Sequence, residues 1–182
     1  MKVVIFAGGL GSRLGEETAL KPKPMVEIGG KPIIWYIMKH YARYGFEDFV
    51  ILLGYKGHLI KDYFLNYSLY NSNILIDLES GTNTFLTNQD ENWKVTLLDT
   101  GEKTMTAGRL KQAEDVIGSG TFMLTYGDGI SDIDLSKLLD FHNGHDGCIT
   151  LSSVQPEGKW GALEEEKDGL IKKFSEKIKG DG

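Results

Sequence analysis

Cysteine is nearly absent: Cys148 is the only one in the 182-residue chain. One thiol cannot close an intrachain disulfide, and it supplies no cysteine cluster for a metal. It lies in the apolar run Cys148-Ile149-Thr150-Leu151 and is expected in a buried strand. Long hydrophobic runs are absent too, so nothing approaches the ~20 apolar residues that span a bilayer. The N-terminus lacks the basic and apolar regions of a signal peptide. A cytoplasmic protein with no membrane partner is expected. Surplus positive charge is also missing: 20 Lys and Arg face 26 Asp and Glu, for a net charge of −6. Nucleic-acid binding needs a basic face, so no nucleic-acid partner is expected. His40, His58, His142 and His145 show no ligand spacing and read as structural. The apolar content of 41% suits a globular chain, and the length suits one sizeable domain or a domain with an arm.

Two common glycine motifs are missing as well. No Gly-x4-Gly-Lys-Ser/Thr string occurs, which excludes a P-loop. Counting Gly-x-Gly-x-x-Gly from Gly9 and Gly11 puts Leu14 at the third glycine, which excludes the dinucleotide fingerprint. What is present is a short apolar strand, Val3-Val4-Ile5-Phe6, running into Ala7-Gly8-Gly9-Leu10-Gly11-Ser12-Arg13-Leu14. Lys21-Pro22-Lys23-Pro24-Met25 follows closely. Glycines at a strand end let backbone N–H groups crowd a bulky anion, because no Cβ intervenes. Arg13, Lys21, Lys23 and Lys31 supply opposing charge. The pattern reads as a triphosphate cradle; the plainer alternative is a glycine-rich turn with scattered surface cations.

The organisation is βαβα, the pattern of a parallel sheet with crossover helices. Lys2–Phe6 and Phe49–Leu53 read as strands. Ile33, Ile34, Ile37, Met38 and Tyr41 recur at helical spacing after Pro32 and stop at Gly45. Ile60, Phe64 and Tyr67 mark a second helix. Residues 66–93 are polar, with one strand-like run at Ile74-Leu75-Ile76; they read either as a surface loop or as an arm that pairs with another subunit. Strands are expected at Lys94–Leu98, Thr121–Tyr126 and Cys148–Val154, with helices at Leu110–Val116 and around Leu135–His142. Short strands at Gly161–Leu163 and Leu170–Phe174 flank an acidic turn, Glu164-Glu165-Glu166.

A second constellation, Tyr126-Gly127-Asp128-Gly129, follows a strand whose carboxyl end is expected beside the cradle, where open α/β sheets bind ligands. Asp128 offers a hard oxygen ligand of the kind Mg²⁺ selects beside phosphates. An ordinary Asp-Gly turn is the alternative.

With both constellations placed, the chain resembles the sugar-1-phosphate nucleotidyltransferases. The resemblance rests on Gly8–Leu14, Pro22-Lys23-Pro24 and Gly30-Lys31-Pro32, and it spans the whole chain. Lys21–Pro32, Gly54–Gly57, Val95–Gly101, Met105–Lys111 and Tyr126–Gly129 resemble most the branch that uses CTP and glucose 1-phosphate. The family implies a Rossmann-like three-layer α/β domain with a mostly parallel central sheet and a projecting arm. It implies that Ala7, Gly8, Gly9, Leu10, Gly11, Ser12, Arg13, Lys23 and Gly127 hold the nucleotide, with Thr104 and Arg109 in the region that reads the pyrimidine. It implies catalytic roles for Arg13, Lys23 and Asp128, with Asp128 binding Mg²⁺, and sugar-phosphate contacts from Gly161, Glu176 and Lys177. Three departures stand out. Ile178 replaces a proline after Lys177, and Trp160 replaces the usual Tyr or Phe before Gly161. The family's Asn-Gly-Gly strand and Trp-x-x-Met-Asp-Thr segment, which holds a second metal-binding aspartate, do not follow Gly182. Residues 1–182 are therefore expected to be the nucleotide-binding part of a longer enzyme.

The implied reaction transfers CMP from CTP to α-D-glucose 1-phosphate, releasing pyrophosphate, in the service of dideoxysugar synthesis for surface polysaccharide. Self-association into a homo-oligomer is also implied. Two alternatives stay open: a related enzyme using UTP or dTTP, and a non-catalytic nucleotide-binding fragment or regulatory module.

Overall fold

A computed structural model describes residues 1–9, 20–87, 91–153, 162–165 and 171–175. Leu10, Gly11, Ser12, Arg13, Trp160, Gly161, Glu176, Lys177 and Ile178 lie outside the described residues. The chain divides into two compact units, Met1–Asp132 and Ile133–Gly182.

The first unit is built on a four-stranded parallel sheet. Its strands are β1 (Lys2–Ala7), β4 (Asp48–Leu53), β7 (Lys94–Asp99) and β8 (Met123–Tyr126), in the order β7-β4-β1-β8. Val3 pairs with Phe49 and with Met123, and Phe49 pairs with Val95, so all four carboxyl ends reach one edge. Val3, Val4, Ile5 and Phe49–Leu53 are fully buried. A central parallel strand is covered on both faces, which is why these segments read as continuous apolar runs rather than alternating ones.

Alternate residues serve the two faces. On one face Val4, Val50 and Leu52 pack with Ala113 and Ile117, and Phe6, Leu98, Leu110, Val116 and Phe122 surround them. That face is covered by α4 (Thr106–Gln112) and α5 (Glu114–Ile117). On the other face Leu53 abuts Gly57, the first residue of α2 (Gly57–Leu65), and the Tyr41 hydroxyl of α1 (Ile33–Ala42) bonds Thr125. Ile34, Ile37, Met38 and Tyr41 form the buried stripe of α1, at the spacing of a single helix face. Each such side chain contributes about 1.5–3 kcal/mol on burial. Gly45, at φ +81°, turns the chain out of α1, and its N–H donates to the Ala42 carbonyl at 2.9 Å. The result is the three-layer α/β/α architecture with a parallel sheet.

Residues 66–87 are more ordered than a loop. They form α3 (Tyr67–Asn71) and an antiparallel hairpin of β5 (Ile74–Asp77) and β6 (Thr82–Phe85). At its tip the Asp77 carboxylate accepts from the N–H groups of Glu79 and Ser80, and Gly81 takes φ +68°. A two-strand pair, β2 (Glu27–Ile28) with β3 (Lys31–Pro32), leads into α1.

The second unit holds α6 (Leu135–Asn143) and an antiparallel pair, β9 (Ala162–Glu165) and β10 (Ile171–Ser175). Two expectations are corrected here. Glu164 and Glu165 belong to β9 rather than to a turn. Cys148 is exposed, and residues 146–153 form no strand. Local side-chain bonds hold this segment near the end of α6: Thr150 Oγ1 meets His142 Nδ1 at 2.9 Å and His145 Nε2 at 3.1 Å. The Gly147 N–H donates to His145 Nδ1 at 2.8 Å. Such contacts compete with extended pairing.

Candidate nucleotide site

Because the sheet is parallel, the residues following each strand gather at one edge, where open α/β sheets place their ligands. After β1 come Gly8 and Gly9; after β4, Gly54; after β7, Thr100 and Gly101; after β8, Gly127 and Asp128. Of these, Gly8, Gly9 and Asp128 line a cleft of about 310 Å³, together with Lys23, Thr104 and Arg109.

Lys23 enters the cleft from a single 3₁₀ turn, Lys23–Met25, that the flanking prolines shape. Pro22 supplies an extended φ before the turn, and Pro24 sits where its missing N–H costs nothing. Lys23 Nζ lies 3.4 Å from Asp128 Oδ2, the cation and the carboxylate meeting across the cleft from segments far apart in sequence. Gly127 is needed for packing. A Cβ there would stand 3.0 Å from both the Phe6 carbonyl oxygen and Pro24 Cγ. Its N–H donates to that same carbonyl at 2.9 Å, fixing Asp128 to the end of β1. Gly9 has open space where a Cβ would point, so its backbone is accessible from the cleft.

The sequence profile described as nucleotidyl transferase matches residues 2–181. A glucose-1-phosphate cytidylyltransferase from Salmonella typhimurium is 50% identical over the whole of this chain, which covers 71% of that protein. The chain belongs to the nucleotidyl transferase family. A probable glucose-1-phosphate cytidylyltransferase from Bacillus subtilis is 47% identical, again over the whole chain and 71% of the relative. A crystal structure of a putative glucose-1-phosphate thymidylyltransferase from Bacillus anthracis, in complex with a sucrose, shares the fold. The TM-score is 0.58 at 21% identity, covering 99% of this chain and 65% of that one.

In this nucleotidyl transferase the edge of the sheet brings together Gly8, Gly9, Lys23, Thr104, Arg109, Gly127 and Asp128 of the expected residues, and Ala7 lies at the end of β1 beside them. Two of the four cations expected to share a pocket turn elsewhere. Lys21 Nζ pairs with Glu27 at 2.6 Å on the surface. Lys31 donates to Asn71 Oδ1 and lies over the rings of Trp35 and Tyr67. In their place the cleft gains Lys103, together with Glu102 and Thr106, which sequence reasoning did not single out. Glu102 and Lys103 belong to the link between β7 and α4, and Thr106 opens α4; no spacing rule marks such residues. Tyr126 and Phe6 also line the cleft, their rings 5.4 Å apart.

Arg109 is buried, at 4% exposure. Its Nη1 donates to the Leu53 carbonyl at 2.7 Å and to Thr100 Oγ1 at 2.6 Å. Its Nη2 donates to the carbonyls of Gly8 at 3.0 Å and Glu102 at 3.2 Å. Burial pulls the guanidinium below its ordinary pKa, and the charge of Asp99 opposes that shift.

Among the described residues no three His, Cys, Asp or Glu side chains cluster as a metal cage. A single carboxylate is what Mg²⁺ takes when phosphate oxygens and water complete its octahedron. Asp128 fits that role, being partly exposed and opening into the same cleft as the glycines. No helix among the described residues is long and apolar enough to cross a membrane.

Proposed function

We propose that this chain transfers CMP from CTP to α-D-glucose 1-phosphate, giving CDP-glucose and pyrophosphate. The observation that carries the reading is one cleft holding the glycine strand end, Lys23 and Asp128, with Lys23 Nζ and Asp128 Oδ2 3.4 Å apart. The 50% identity to a glucose-1-phosphate cytidylyltransferase along the full chain supports the substrate pair.

The roles follow from charge and position. Backbone N–H groups of Gly8 to Arg13 hold the triphosphate, and Arg13 steadies the departing pyrophosphate. The sugar-phosphate oxygen attacks the α-phosphorus in line, opposite that leaving group. This nucleophile is already anionic, so no strong general base is required. Catalysis is mostly positioning and charge neutralisation. Lys23 offsets the charge gathering on the α-phosphate. Lys177, with Gly161 and Glu176, holds the sugar phosphate against repulsion between the anions. Mg²⁺ bound at Asp128 would supply further neutralisation of phosphate oxygens. Thr104, on the cleft wall, faces the pyrimidine.

The test is competition. With glucose 1-phosphate and Mg²⁺ present, pyrophosphate release is measured with CTP against an equal concentration of UTP or dTTP, then repeated with EDTA. CTP is expected to dominate and EDTA to abolish release. Preference for UTP or dTTP overturns the base assignment, and release that survives EDTA overturns the metal assignment.

A further inference from the structure

The turn between β4 and α2, Gly54-Tyr55-Lys56-Gly57, holds a lysine in a conformation that lysine disfavours. The Gly57 N–H donates to the Gly54 carbonyl at 3.0 Å and closes the turn. Its third residue, Lys56, takes φ +49° and ψ +31°. Among the described residues it is the one non-glycine residue at positive φ. Glycine would take that conformation without steric cost, and asparagine takes it more readily than most. Lys56 is also the N-cap of α2 and gives it no side-chain cap. Asparagine would serve there too, whereas a lysine side chain has no acceptor to offer. Neither the turn nor the helix accounts for lysine, which leaves the reach of its side chain.

That side chain ends on another segment. Lys56 Nζ donates to the Leu20 carbonyl at 3.1 Å. The residue before it acts on the far end of the same stretch: the Tyr55 N–H donates to the Gly8 carbonyl at 3.3 Å. The turn lies close against that end, since a Cβ on Gly54 would stand 2.7 Å from the Gly8 oxygen. Leu20 leads through Lys21 and the fully buried Pro22 into the 3₁₀ turn of Lys23. Gly8 and Lys23 line the cleft, whereas Lys56 is not part of its described lining.

We infer that Lys56 is a positioning residue: with Tyr55 it clamps both ends of the stretch 8–20, and by holding the Leu20 carbonyl it fixes the approach of Lys23 to the cleft. The inference rests on the nucleotide-binding reading of that cleft. Residues kept at costly φ and ψ cluster where function needs them, and a site ordered before binding spares the nucleotide the cost of ordering it.

The experiment compares Lys56→Gly and Lys56→Arg with the wild type by equilibrium binding of CTP, thermal melting, and amide hydrogen exchange of the nucleotide-free protein. Glycine removes the clamp together with the unfavourable φ, so the Tm of Lys56→Gly is expected not to fall. Its Kd for CTP is expected to rise by about 3- to 10-fold, within the worth of one hydrogen bond. Exchange at Met25 and Val26, whose N–H groups donate to the Pro22 and Lys23 carbonyls, is expected to quicken. Lys56→Arg keeps a long cationic donor and is expected to restore the Kd to within about twofold of the wild type. An unchanged Kd in Lys56→Gly overturns the inference. A raised Kd with unchanged exchange overturns it in favour of direct contact between Lys56 and a phosphate. A raised Kd with a lowered Tm, neither restored by arginine, overturns it in favour of a purely structural role. If Lys56→Gly fails to fold, Lys56→Asn tolerates the left-handed conformation but is too short to reach Leu20. It is expected to show the same rise, and an unchanged Kd there overturns the inference. Should the wild type bind CTP but make no CDP-glucose, the cytidylyltransferase reading fails, while these comparisons still decide the role of Lys56. Binding of no triphosphate overturns both.

Discussion

Lys23 and Asp128 form the centre of the site at the scale of single residues. Removing the ammonium strips charge from the reacting phosphate while the glycine backbone still holds the nucleotide. Lys23→Ala is therefore expected to lower kcat by about 10²- to 10³-fold. Its CTP Kd is expected to move by less than about tenfold, within the worth of one charged hydrogen bond. Weakened CTP binding with unchanged kcat contradicts this role. Tyr63 makes a different point. Its hydroxyl is buried with no hydrogen-bond partner among the described residues, and burial is the main cause of its raised pKa. Tyr63→Phe deletes an unpaired polar group, so urea unfolding is expected to show unchanged stability or a gain of up to about 1 kcal/mol. A loss of more than about 1 kcal/mol would reveal a hydroxyl contact that matters. Lys23 was legible in the sequence because its two flanking prolines fix a local turn. The setting of Arg109 was not, since three of its four partners are backbone carbonyls, which carry no residue signal. Lys21 and Lys31 misled for a related reason: nearness in sequence does not say where a long, flexible side chain lands.

Element-scale reading worked where burial left a pattern. After their first residues, Lys2 and Asp48, β1 and β4 are apolar because helices cover both sheet faces, and α1 shows its buried stripe directly. Cys148-Ile149-Thr150-Leu151 carries the same local signal, yet its Thr150 hydroxyl binds two histidines and no strand forms. Composition cannot separate a run that finds a ladder from one that does not. The hairpin β5–β6 was only half legible: β5 shows its apolar run, whereas β6, Thr-Asn-Thr-Phe, shows none. Helix α6 starts on a readable cap. The Asp134 carboxylate accepts from the N–H groups of Ser136 and Lys137, both at 3.1 Å. The Lys137 N–H leads the interactions that hold its pKa below the ordinary 3.8. A depressed carboxylate pKa means the cap's contribution is complete above that ordinary value and is lost as pH falls through the folded one. Hydrogen exchange at Ser136 and Lys137 is expected to lose protection in acid, and Asp134→Ala is expected to lack that protection at neutral pH. Equal protection in both proteins would contradict the cap.

At the scale of the whole molecule, the parallel sheet delivers Gly8, Gly9 and Asp128 to one edge, and the hairpin is the feature left unused. Leu75, Ile76, Leu78, Phe85 and Leu86 are all exposed on or beside it. Exposed apolar patches mark interaction sites, and we propose self-association as the use of this one. The chain is expected to sediment well above 20.2 kDa, and Leu78→Asp combined with Phe85→Asp is expected to move it toward that value. A wild type that sediments as a monomer contradicts the surface. The central claim is that the cleft performs chemistry and does not merely hold a nucleotide. Its most direct test incubates this 182-residue chain with CTP, Mg²⁺ and glucose 1-phosphate, and counts CDP-glucose and pyrophosphate together. The account predicts equal amounts of the two products, and neither when glucose 1-phosphate is left out. Saturable CTP binding without either product, by protein shown to be folded, would contradict it.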